Sequence, residues 1–262
     1  MIKALFFDID GTLVSFDTHR IPSSTIEALE KAREKNIKIF IATGRPKLII
    51  NNLPELQQRN LIDGYITMNG AYCFVENQII YKRPVPAENV QSFINLCKEK
   101  NYPSFFVCEN RITVCQPSEM LRKIFYESLS VNEFPEVSYD DAIKEDILMI
   151  TSFFTKQEEE AIQAYLPDCE IARWHPAFAD ITAKGNTKQK GIDEFIKHFG
   201  FRLEETMAFG DGGNDISMLR HAAIGVAMGQ AAEEVKQSAD YVTTSVDDDG
   251  IWNAMKYYKI IE

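Results

Sequence analysis

Residues 4–12 read ALFFDIDGT. Four consecutive apolar residues run straight into two acids and a glycine. That pattern suits a short strand buried on both faces of a parallel sheet, with polar groups gathered where the strand ends. Downstream, Pro22 and the pair Ser24 and Glu27, spaced as a capping box, open a helix whose apolar positions Ile26, Leu29 and Ala32 recur at helical spacing. IKIFIA at 37–42 then supplies a second buried strand. Strand, helix and strand within about 40 residues make a βαβ unit with a right-handed crossover.

Further along, Pro46 to about Leu56 reads as a helix and Tyr65–Met68 as a third strand. After Asn69-Gly70 the alternating runs AYCFV and QIIY flank Glu76-Asn77, the signature of a hairpin at the edge of the sheet. From Pro84 to Ile181 the pattern is mixed. A helix is expected from Val90 to Lys100, two strands around Glu109-Asn110, a helix near Met120 to Leu129, a strand in ILMITSFF, a helix near Glu158 to Tyr165, and short returning strands. The parallel pattern resumes with a helix at 188–199, strand TMAF, a helix at 216–221, strand IGVAM, a helix at 232–238, strand YVTT and a last helix from Ile251. The expected fold class is therefore α/β. A doubly wound, Rossmann-like parallel-sheet domain, residues 1–83 and 182–262, is interrupted by an α+β domain at 84–181.

Composition narrows the functional classes. Hydrophobic residues make up 45% and charged residues 26% of the 262, which excludes disorder and low complexity. A net charge of −11 argues against nucleic acid and anionic lipid as partners, so a phosphate-bearing small substrate would need a local cationic pocket. No apolar run approaches the roughly 18 to 20 residues of a membrane helix. The single Lys and early Asp of MIKALFFDID do not make a signal peptide. Five scattered cysteines without a C-x-x-C indicate neither a disulfide framework nor zinc. A cytoplasmic protein is expected.

Ligands of open parallel sheets bind beyond the C-terminal strand ends. Three such ends are unusual: Asp8 and Asp10 after the first strand, Thr43, Gly44 and Arg45 after the second, and Asp211, Asn214 and Asp215 in AFGDGGND. An EF-hand reading from Asp8 fails, because its sixth position is Leu13 and its twelfth His19. GDGGND fails as a dinucleotide fingerprint at Asp215, and no Walker loop occurs. What remains is a carboxylate cluster suited to Mg²⁺, a hard ion that prefers oxygen ligands. Carboxylates and Mg²⁺ together suggest phosphate chemistry, with a Lys or Arg to neutralise charge between a carboxylate nucleophile and a dianionic ester. Lys184, Lys188 and Lys190 are the candidate cations, and position at the sheet rim favours Lys188.

DIDGT at 8–12, ATGR at 42–45, KGNTK at 184–188 and GDGGND at 210–215 resemble, in order, the four motifs of the haloacid dehalogenase (HAD) superfamily of phosphotransferases. NGA at 69–71, followed by the long insert, is similar to the Cof-type branch with a IIB cap, and within it to hexose-phosphate phosphatases. One departure is Gln189-Lys190-Gly191 after Lys188, where many relatives have a Gly directly. The resemblance implies that Asp8 attacks phosphorus and becomes an aspartyl phosphate, and that Asp10 is the general acid and base. It implies Mg²⁺ held by Asp8, the Asp10 backbone carbonyl and Asp211, with Asp215 acting directly or through water. Thr43, Lys188 and Asn214 would hold phosphate oxygens, Gly44 would permit close approach, and Arg45 would reach toward the substrate or the cap. An acid at position 10 favours phosphate esters over halide expulsion, because an alkoxide leaving group needs a proton. The implied activity is hydrolysis of small sugar phosphates by a monomer or small homo-oligomer. The alternatives are a sugar phosphomutase, a phosphatase for pyridoxal phosphate or FMN, and a ligand-binding protein without turnover. The insert is expected to supply specificity as a mobile lid. Asp247, Asp248 and Asp249 are expected to favour the start of the last helix, Trp174 to pack in the insert's core, and His175 to be a satisfied turn residue.

Overall fold

The computed structural model describes residues 1–127 and 131–262. They fall into two compact units. One comprises Met1–Arg45, Ile50–Tyr81 and Thr187–Glu262; the other comprises Pro46–Ile49 and Lys82–Asn186.

The first unit is built on strands β1 (Ala4–Phe7), β2 (Lys38–Ala42), β3 (Gly64–Thr67), β4 (Tyr72–Val75) and β5 (Gln78–Lys82), the last residue of which begins the second unit's segment. The second contributes β6 (Ser104–Val107), β7 (Ile112–Cys115), β8 (Met149–Ser152), β9 (Cys169–His175) and β10 (Phe178–Ala183). The chain then returns to the first unit for β11 (Thr206–Gly210), β12 (Ile224–Ala227) and β13 (Tyr241–Val242). The eight-stranded order is β13-β12-β11-β1-β2-β3-β4-β5. β1 pairs in parallel with both β2 and β11, whereas β4 returns antiparallel to β3. Chain order thus reverses on either side of β1, the kind of switch point at which ligands bind in open α/β sheets.

The apolar runs are continuous because alternate residues serve opposite faces. Leu5, Phe7, Ile39, Ile41, Met207 and Phe209 pack with Ile26 and Leu29 of the helix Ser23–Glu34 and with Ile251 and Met255 of the helix Gly250–Tyr257. Ala4, Phe6, Phe40 and Ala208 face Ile192 and Phe195 of the helix Lys188–Phe199 and Met218 and Leu219 of the helix Ile216–His221. Phe6 stacks on Phe40 at 5.0 Å between ring centroids, and Phe195 meets Phe40 edge-on at 4.8 Å.

The second unit has its own five-stranded sheet, ordered β7-β6-β8-β10-β9 and antiparallel wherever its pairing is defined. Its core joins Phe106, Ile150, Ala179 and Ile181 from the strands to Val90, Phe93 and Ile94 of the helix Ala87–Lys100.

Several local expectations are corrected. Pro46 to Leu56 is not one helix but a 3₁₀ turn, Lys47–Ile49, and a short helix, Pro54–Gln58. Pro54 disfavours helical backbone at the residue before it, and Leu53 lies outside the helical region at φ −119°, ψ 30°. Ser24 does not cap its helix, which starts one residue earlier; its hydroxyl donates to Asp249 Oδ1 at 2.5 Å. Asp247, Asp248 and Asp249 do directly precede the last helix, as expected, but no side-chain cap forms at Asp249. That residue lies at φ 59°, while Asp248 accepts from the Ser245 hydroxyl, so two of these acids tie loops together rather than cap a helix. Trp174 is 57% exposed rather than buried, whereas His175 Nδ1 accepts the Ala177 N–H as a turn residue does. YVTT shortens to the two residues of β13. The helix expected near Met120 is present as Glu119–Leu121 followed by a wider helical turn, Arg122–Glu127; Leu129 lies outside the described residues.

Candidate active site

β11, β1 and β2 are neighbours, so the loops that leave their C-terminal ends converge. The loop after β1 turns at once: Gly11 N–H donates to Val14 O, and Val14 N–H donates back to Ile9 O, each at 2.8 Å. Gly11 has φ +87°, and a Cβ there would lie 2.2 Å from Asp211 Oδ2, so this position needs glycine both for its backbone and for the acid against it. Thr12, completely buried, donates its hydroxyl to Asp211 Oδ1 at 2.8 Å and aims that carboxylate.

Lys188 is the first residue of its helix, whose N-cap Thr187 accepts the Lys190 N–H. Its ammonium is fully buried and lies 2.6 Å from Asp8 Oδ1 and 2.5 Å from Asp215 Oδ1. Asp215 spends its other oxygen on the backbone N–H groups of Asp211 (3.0 Å) and Gly212 (2.9 Å), which holds the loop after β11 in shape. Lys190, by contrast, pairs with Glu194 on the surface, and Lys184 is exposed in the inserted unit. Of the three lysines, Lys188 alone meets the acids.

Asp8, Asp211 and Asp215 each place one carboxylate oxygen within 4.8 Å of the others. Three buried or part-buried carboxylates thus face one ammonium. Burial pushes the Asp8 carboxyl well above its usual range; Lys188 offsets part of this, and the neighbouring acids add to it. Burial likewise pushes Asp211 up to about 7, with the Thr12 hydrogen bond opposing and Asp215 reinforcing the shift. Burial alone would lower Lys188, but Asp215 and Asp8 outweigh it and keep the ammonium charged. An oxygen-only donor set with uncompensated negative charge fits a hard divalent cation such as Mg²⁺.

The Asp10 side chain is not part of this acidic group. Its carboxylate takes a two-pronged ion pair from Arg45, Nε to Oδ2 at 2.6 Å and an amino group to Oδ1 at 2.8 Å, and Asn52 Nδ2 donates to Oδ1 at 3.2 Å. Thr43, buried at the end of β2, accepts the Arg45 N–H at 3.0 Å. Asn214 Nδ2 donates to Asn69 Oδ1 at 3.0 Å, which ties the loop after β11 to the turn after β3. Gly44 lies under that pair, where a Cβ would stand 3.3 Å from Asn69 Oδ1. Thr12 and Asn52 were not singled out by the sequence. Thr12 was legible inside DIDGT, whereas nothing in the sequence around Asn52 marks it.

A family model described as haloacid dehalogenase-like hydrolase matches residues 5–255. The putative phosphatase YkrA of Bacillus subtilis strain 168 is 36% identical over 258 residues, covering 97% of this chain and 96% of that protein. The pyridoxal phosphate phosphatase YbhA of Escherichia coli K12 is 29% identical over 268 residues, covering 95% and 96%. Among solved structures, that of a HAD subclass IIB sugar phosphatase matches with a TM-score of 0.94 at 66% identity, covering 99% of this chain and all of that one.

Proposed function

The chain belongs to the haloacid dehalogenase-like hydrolases, as a Cof-type member of the IIB kind, and is a phosphatase; from that premise we propose that it hydrolyses small sugar phosphates, hexose phosphates foremost, with Mg²⁺ and through an aspartyl phosphate on Asp8. The observation that carries this reading is the buried Lys188 ammonium between Asp8 and Asp215, with Asp211 beside them. The sugar end of the reading is supported by the likeness to a sugar phosphatase at 66% identity.

In the proposed sequence a free oxygen of Asp8 attacks phosphorus, the bond from phosphorus to the sugar oxygen breaks, and an acyl phosphate forms on Asp8. Asp10, which has to enter the cycle protonated while Asp8 is ionised, gives the departing alkoxide its proton, then takes one from the water that cleaves the acyl phosphate, which frees phosphate, restores Asp8 and returns Asp10 to its starting state. Lys188 holds Asp8 and balances its charge as the dianion approaches. Thr43, Asn214 and the backbone at Gly44 receive the phosphate oxygens. Asp8, Asp211 and the Asp10 carbonyl would hold Mg²⁺, with Asp215 steadying the set; when bound, the ion neutralises charge between carboxylate and phosphate. Because every monoester presents the same phosphate, discrimination between sugars is assigned to the segment 84–181.

Phosphate release across hexose, pentose and triose phosphates, nucleoside monophosphates and pyridoxal phosphate tests the reading. Hexose phosphates should show the highest kcat/KM, EDTA should abolish turnover, and Mg²⁺ should restore it. Undiminished turnover after exhaustive chelation would contradict the metal, and pyridoxal phosphate at the head of the ranking would contradict the substrate.

A further inference from the structure

We propose that Asn52 is a positioning residue for Asp10, holding the carboxylate jointly with Arg45 at the angle from which it exchanges protons with the leaving group. The inference rests on the reading of Asp10 as the acid and base.

Asn52 lies between the 3₁₀ turn and the helix that begins at Pro54, 42 residues along the chain from Asp10. Its neighbour Leu53 and, one turn on, Leu56 are both fully buried in the core cluster that includes Phe7 and Ile41, so the backbone carrying Asn52 is anchored from below. The amide donates through Nδ2 to Asp10 Oδ1 at 3.2 Å. Its own Oδ1 is buried without a hydrogen-bond partner among the described residues. Turning the amide over would set Oδ1 against the carboxylate oxygen, so the donor must face Asp10 and the acceptor must face away from it.

A buried acceptor without a partner is costly, and native structures rarely keep one without a compensating role. For the fold alone, leucine would fill a similar volume and leave nothing unsatisfied. Among the described residues, the side-chain bond that Asn52 makes is the one to Asp10. Arg45 alone leaves the carboxylate free to pivot about the axis of the guanidinium. A third donor on Oδ1, arriving from a different element, removes that freedom, and proton transfer is sensitive to such placement.

The test compares kcat/KM for a hexose phosphate, whose alkoxide needs a proton, with that for p-nitrophenyl phosphate, whose phenolate leaves without one. In Asn52→Leu, kcat/KM for the hexose phosphate should fall roughly 10- to 100-fold while that for p-nitrophenyl phosphate changes only a few-fold, since only the first depends on the acid. The urea midpoint of Asn52→Leu should equal or exceed that of the wild type, because the unpaired acceptor is gone. Asn52→Asp, nearly isosteric but presenting oxygen to Asp10, should show the same leaving-group dependence and covers the case in which Asn52→Leu does not fold. Asp10→Asn, run in parallel, should show it more steeply. Equal losses on both esters, or none, in the folded Asn52 variants beside a steep Asp10→Asn would overturn the role of Asn52 and leave the phosphatase reading standing. If Asp10→Asn discriminated no more than wild type between the two esters, Asp10 would not be the acid and both would fall.

Discussion

Asp8 carries two demands that pull apart, being buried enough to raise its proton affinity and yet required to act as a nucleophile. Lys188 reconciles them, because an ammonium 2.6 Å away keeps the anion tolerable where water cannot. Asp8→Asn should therefore fold at least as stably as wild type, since it removes one of three crowded carboxylates, while turnover falls by roughly 10³-fold or more with the covalent path closed. Quenching the wild type in a single turnover with labelled ester should leave label on Asp8; label on a Ser or His would overturn the assignment. Lys188→Met should do the reverse to the fold. With no cation among the acids, the metal-free protein should lose about 3 to 5 kcal/mol in urea unfolding, and an unchanged midpoint would mean that the ammonium does not balance them. The acids were legible in the sequence because each ends an apolar run. Lys188 was legible by the same logic, whereas Asn52 was not, since its partnership with Asp10 depends on how one loop folds back on another.

At the scale of elements, β10 carries a charge into the middle of the second sheet. Asp180 is almost wholly buried, with Thr151 Oγ1 donating to one oxygen at 2.6 Å and Trp174 Nε1 to the other at 2.9 Å. Burial pushes its carboxyl up to about 6 against those two hydrogen bonds. Between its unfolded value of 3.8 and about 6 the native state binds the extra proton, so stability falls as pH rises through that window. Asp180→Asn keeps both contacts, since the amide can donate to Thr151 and accept from Trp174, but it cannot titrate. The wild type should thus lose up to about 3 kcal/mol relative to Asp180→Asn between pH 3.5 and pH 7. Urea midpoints that run parallel for the two proteins over that range would refute the charge's cost. Trp174 departs from the default that buries large aromatics: its N–H turns inward to the buried Asp180 while most of the indole stays exposed. Strand positions in the first sheet were readable because runs such as ALFF and KIFIA are buried on both faces. Cap and boundary positions were less so, because Ser24 and Asp249 satisfied each other through a contact between distant segments.

The whole molecule consists of two units with separate hydrophobic cores, and each contains one of its two tryptophans. Trp252 packs against the core of the first unit with the Lys31 ammonium 4.6 Å from its ring, and Trp174 stands on the sheet of the second. Fluorescence of Trp174→Phe therefore follows the first unit, and that of Trp252→Phe the second. Domains with their own cores need not unfold in one step, so a single midpoint is not assured. All three clustered carboxylates belong to the first unit, and a cation that binds only the folded cluster stabilises by mass action, about 2.7 kcal/mol at 100 times its Kd. Added Mg²⁺, against NaCl at matched ionic strength, should raise the urea midpoint reported by Trp252 more than the one reported by Trp174. A shift confined to Trp174 would place the ion away from Asp8, Asp211 and Asp215. No shift in either at saturating Mg²⁺ would mean that these acids do not hold it, and equal shifts would mean that the two cores unfold as one. Lys188→Met sharpens the comparison: removing the ammonium that pairs with Asp8 and Asp215 should tighten Mg²⁺ binding and enlarge the Trp252 shift, whereas a loosely attracted ion would respond to the net charge of −11 and hardly notice the change of one residue.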